Sequence, residues 1–189
     1  MGAVSLTSLW LPILLSAVGV FVASSVVHMA LTYHRTDYKK LPSEDQVMEA
    51  LRRFSIPPGD YMVPCGGSPS AMKDPAFIDK MKKGPIAIMT IVGGGHWNMG
   101  PQLVQWFLFS VVVSLFAGYL TSRAVPAGAP YLVVSRFAST VAFMGYALAH
   151  WPQTIWYRKS LSTTIKNTID GLIYGFITGG FFGWLWPSA

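Results

Sequence analysis

The amino-acid sequence predicts an all-α membrane protein: four transmembrane helices with a small cytoplasmic α+β cap between helices 1 and 2. Three observations predict it. The 189-residue chain is 52% hydrophobic and only 12% charged, about half the charge of an ordinary soluble domain, and its mean hydropathy is +0.43. Its apolar stretches are long enough to cross a ~30 Å hydrocarbon core, and the charges lie mainly between them. The last apolar stretch carries Gly171, Gly175, Gly179 and Gly183, one glycine every fourth residue. On a helix that spacing makes a stripe without side chains, which a neighbouring backbone can approach closely. In water each glycine costs about 1 kcal/mol of helix propensity. In lipid the backbone must satisfy its own hydrogen bonds, so helix is nearly forced.

The first span covers residues 6–33, where no Lys, Arg, Asp or Glu occurs. A cleaved signal peptide is disfavoured because its basic leading region and small-residue cleavage site are missing. Residues 34–100 form the cap and hinge. Ser43-Glu44-Asp45-Gln46 has the pattern of a capping box opening a helix through about Phe54, which Ile56-Pro57-Pro58-Gly59 stops. Asp74-Pro75 supplies an N-cap and a first-turn proline for a helix ending at Lys82-Lys83-Gly84. The β-branched run from Ile86 to Val92 is too short to span. It is expected to pair with Tyr61–Val63, the alternative being an interfacial or re-entrant segment.

Residues 101–122 form the second span, with Ser110, Ser114 and Gly118 repeating the small-residue spacing of four. Residues 131–151 form the third, ended by Pro152. An amphipathic cytoplasmic connector, 152–167, leads into the fourth span, 168–186. The glycine stripe is expected to pack within the chain, on the stripe of span two or on span three, with a second subunit as the alternative.

Orientation follows from Lys and Arg. Nine lie between spans one and two and three in the 152–167 connector, whereas the turn after span two holds only Arg123. The positive-inside rule therefore makes the cap and connector cytoplasmic and both termini outside. Tyr33, Trp97, Trp106, Trp151, Trp156 and Tyr157 would form the aromatic belt on the cytoplasmic side. The formal charge of +6 fits attraction to anionic lipid. With no basic recognition helix, nucleic acid is not an expected partner. Expected partners are membrane lipids, a second copy of the chain, or other subunits of a membrane complex.

This topology brings His28, His34, His96, His150 and Asp170 to one depth, near the cytoplasmic boundary. Ionisable groups there are costly and often functional. Imidazole suits a transition metal or a haem, and His28, His96 and His150 are the candidate metal ligands. The spacing matches no metal motif, and histidines at helix ends also serve as caps, so no cofactor is expected. Asp170 and Arg136 are candidate polar-site residues, although an Arg two turns into a span ordinarily snorkels to the headgroups. The single cysteine, Cys65, excludes an internal disulfide. No catalytic constellation is legible.

The segments Ile56-Pro57-Pro58-Gly59-Asp60-Tyr61-Met62-Val63-Pro64, Lys80-Met81-Lys82-Lys83-Gly84-Pro85 and Gln105-Trp106-Phe107 resemble a family of small, uncharacterised bacterial inner-membrane proteins. The resemblance implies a bacterial inner-membrane location and brings no activity or functional residue. Three functions remain open from the sequence: an accessory or structural component acting through packing or partner binding, a small oligomeric transporter or channel, and a metal- or haem-dependent membrane enzyme.

Overall fold

The computed structural model describes residues 4–96 and 98–188. The Trp97 position of the expected aromatic belt lies outside them. The chain divides into two compact units, Met1–Tyr38 with Asn98–Ala189, and Lys39–Trp97.

In the first unit, α1 (Trp10–Ser25) is extended by a 3-10 turn before it and a π turn after it, giving one helical run from Leu6 to Ala30. The others are α4 (Gly100–Ala124), α5 (Tyr131–Phe143), α6 (His150–Tyr157) and α7 (Leu161–Trp184). Leu6–Ala30, Gly100–Ala124 and Tyr131–Tyr157 are long and apolar enough to cross a membrane. α7 has the length, at 24 residues, but its glycines and Asp170 dilute its apolarity.

The four long helices form an antiparallel ring in which α1 and α5 each pack between α4 and α7. The first and last described residues share one end of the ring with the α4–α5 turn. There the Gly128 N–H donates to the Pro187 carbonyl at 2.9 Å and the Trp186 indole to the Pro126 carbonyl at 2.8 Å. Val4, Leu9, Val125, Val134 and Phe182 bury one core cluster, and Val20, Ala142, Tyr146 and Tyr174 belong to a second.

The glycine stripe faces α5, not the serine-glycine stripe of α4. A β-carbon on Gly171 would lie 2.8 Å from Ala147 Cβ, and one on Gly175 would lie 3.0 Å from the Ser139 carbonyl oxygen. On Gly179 it would stand 2.6 Å from the Ser135 carbonyl oxygen, and on Gly183 2.6 Å from the Tyr131 ring. Both helices therefore step by about one turn along the seam, which is why a four-residue glycine repeat serves it. In α4, Ser110 and Ser114 are buried, and Gly118 makes room for Phe182 and Ile13.

Two boundaries differ from expectation. Pro152 does not end the third span: a π turn at Met144–Leu148 restarts the helix at His150. Pro152 then falls in the first turn of α6, where its missing N–H costs little. The 152–167 stretch is consequently not a separate connector, because α6 takes its first half and α7 begins at Leu161, with Arg158 in the left-handed region between them.

The second unit contains α2 (Glu44–Arg53), β1 (Gly59–Val63), α3 (Pro75–Lys83) and β2 (Ala87–Ile91). β1 and β2 pair antiparallel, Tyr61 opposite Met89, and Thr90 Oγ1 donates to Asp60 at 2.6 Å. Asp74 caps α3 by accepting from the Ala76 N–H at 2.9 Å. Ser43 makes no capping bond: at φ 52° its hydroxyl leaves the first turn, and its carbonyl accepts from Gln46 and Val47 instead. No residue of α2, α3, β1 or β2 is fully buried.

Candidate functional site

Where α1 ends, Leu31 turns extended and a 3-10 turn, Tyr33–Thr36, doubles the chain back. That turn lays Tyr33, His34 and Asp37 against the first half of α7, which presents Lys166 and Asp170 one turn apart. His34 sits between two carboxylates, with Nδ1 2.6 Å from Asp37 Oδ2 and Nε2 2.8 Å from Asp170 Oδ2. The Tyr33 hydroxyl donates to the other oxygen of Asp170. Lys166 Nζ donates to the Tyr33 carbonyl at 2.6 Å, to Thr36 Oγ1 at 2.9 Å and to Asp37 Oδ1 at 2.8 Å. The lysine thus ties the turn to α7 while neutralising Asp37.

Burial sharpens these interactions. The Asp170 side chain is 4% exposed and those of His34 and Asp37 are each 10% exposed. Burial works against ionising Asp37, but the hydrogen bonds from Lys166 and His34 outweigh it and hold the carboxyl below its usual range. Asp170 has no Lys or Arg partner among the described residues; its one ion-pair partner is His34.

His28 completes the group. Its ring lies against that of His34 with centroids 4.3 Å apart. Ligand atoms of His28, His34 and Asp170 all fall within 4.8 Å of one another. His28 also lines a cavity of about 300 Å³ with Ser25, Met29, Gln102, Leu103 and Trp106, where the Trp106 indole donates to Ser24 Oγ at 2.7 Å. One turn further along α7 than Asp170, the buried Tyr174 hydroxyl has no hydrogen-bond partner among the described residues.

Of the three histidines read as metal ligands, only His28 joins this cluster. His150 opens α6 and lines a different cavity with Tyr38, Gln153, Lys159 and Asn167. His96 belongs to the second unit. Arg136 is exposed on α5, and Cys65 is exposed in the second unit. The sequence reading missed Tyr33, Asp37 and Lys166. The available signals were His34 and Asp37 three residues apart, and Lys166 and Asp170 four apart, each spacing suited to one helical face.

Comparison of the chain with protein-family models, with curated proteins and with solved structures finds no match.

Proposed function

We propose that the chain is an integral protein of the bacterial cytoplasmic membrane, crossed by all four long helices, that acts as a structural or accessory component through packing and partner binding. The observation that carries this reading is the filled interior of the ring. Val20, Val134, Ala138, Ala142 and Phe182 are fully buried along it, and the glycine seam is closed by α5 of the same chain. A conduction path needs a polar, water-lined axis, and the close packing of these apolar side chains beside the buried Ser16, Ser110, Ser114 and Thr178 favours a structural role over it.

The fourth crossing is supported by where α7 puts its polar character. Gly171, Gly175, Gly179 and Asp170 are buried. Ile169, Leu172, Ile173, Phe176 and Trp184 are exposed, as lipid contact requires. At 1.5 Å per residue α7 is about 36 Å long, enough for the hydrocarbon core. Arg35, Arg158, Lys159 and Lys166 lie near the α7 start, which favours that end as cytoplasmic.

Two measurements test the reading. Purified protein in mild detergent should run at a defined mass, alone or with a stoichiometric partner. Proteoliposomes loaded with a pH-sensitive dye or with K⁺ should show no flux above empty vesicles. Selective flux that rises with protein density would replace this reading with the transporter one.

A further inference from the structure

We propose that His28, His34 and Asp170 bind one divalent transition-metal ion of the Zn²⁺ or Fe²⁺ type at the α7-start end of the helix ring. The inference goes beyond the structural reading and does not depend on it.

The donor set comes first. Two imidazoles and one carboxylate suit borderline first-row ions and not Mg²⁺ or Ca²⁺, which take oxygen. The spacing agrees. Metal–ligand bonds of about 2.1 Å put adjacent ligand atoms about 3 Å apart at right angles, and about 3.4 Å apart in a tetrahedron. His34 Nε2 and Asp170 Oδ2 stand 2.8 Å apart, and the ligand atom of the exposed His28 ring lies within 4.8 Å of both.

The surroundings have the arrangement that supports metal ligands. A ligating histidine ordinarily donates its other ring N–H to a carboxylate, which fixes the tautomer and strengthens the ligand. Asp37 occupies that place at His34 Nδ1, and Lys166 offsets its charge. Lys166 is already engaged by Asp37, and Tyr33 brings only a hydroxyl to Asp170. An ion between His28, His34 and Asp170 would use all three groups, whose ligand atoms lie within 4.8 Å of one another.

The test is Co²⁺ titration of the purified full-length protein, carrying no polyhistidine tag, followed by visible absorption and by metal content after gel filtration. One Co²⁺ per chain is expected, displaced by Zn²⁺. His28→Gln and Asp170→Asn should each weaken binding at least tenfold, and Asp37→Asn should weaken it by ten- to a hundredfold. His96→Gln and His150→Gln should leave it unchanged. His28 is exposed, so His28→Gln should fold normally, with gel-filtration profile and circular dichroism as checks, and it decides the matter if Asp170→Asn does not fold. Absence of stoichiometric Co²⁺ binding, or binding unchanged in folded His28→Gln, overturns the site.

Discussion

Gly179 and Gly180 are neighbours in sequence with opposite surroundings, which makes them a matched pair for the helix seam. Alanine at Gly179 would place its β-carbon 2.6 Å from the Ser135 carbonyl oxygen and 3.0 Å from Ser139 Cβ. At Gly180 the nearest atom is the Tyr131 hydroxyl at 3.7 Å, an ordinary contact. Both substitutions gain the same helix propensity, about 1 kcal/mol, so that contribution cancels between them. What remains is the cost of forcing α5 and α7 apart by roughly 0.8 Å against a backbone atom, for which overpacking gives about 1–3 kcal/mol. In a chain of this size that corresponds to a melting difference of about 2–12 °C. Thermal unfolding in one detergent, followed by near-ultraviolet circular dichroism, should rank Gly180→Ala at or above the unsubstituted protein and Gly179→Ala clearly below it. Equal midpoints, or a more damaging Gly180→Ala, would refute the seam. A Gly179→Ala protein that kept its midpoint and changed only its oligomeric mass would move the seam to a contact between copies.

Replacing Lys166 by Met removes the charged donor that Asp37 Oδ1, Thr36 Oγ1 and the Tyr33 carbonyl share and should cost about 1.5–3 kcal/mol of stability. Much of that should return when Asp37→Asn is added, a coupling that a double-mutant cycle in denaturant would measure. Trp106→Phe removes the indole bond that joins α4 to α1 and should cost about 1 kcal/mol, read as a lowered midpoint at unchanged helical content. For topology, a membrane-impermeant thiol reagent should fail to label Cys65 in intact cells and should label it in inverted vesicles; labelling in intact cells would invert the proposed orientation.

Much of the helical architecture is local and was legible in the sequence. Uncharged runs longer than 20 residues have few alternatives in lipid. Asp74 before Pro75 and the β-branched run from Ile86 to Val92 announced α3 and β2 through capping and strand preference, which act over a few residues. The Ser43 capping box failed although its residue types were right, because a left-handed backbone turned the hydroxyl away. Pro152 read as a stop, and the π turn before it made it a first-turn residue. The glycine spacing declared a close helix contact, yet a repeat of four carries no label for its partner. Only packing in the ring assigned it to α5. The same limit held at the histidines. The apolar spans led to the expectation that His28, His34, His96, His150 and Asp170 share one depth, but rotation of each helix about its own axis decides which side chains meet. The Lys166 clamp holds the Tyr33–Thr36 turn against α7, more than 120 residues further along the chain, so the tertiary structure alone joined His28 and His34 to Asp170 and left His150 apart.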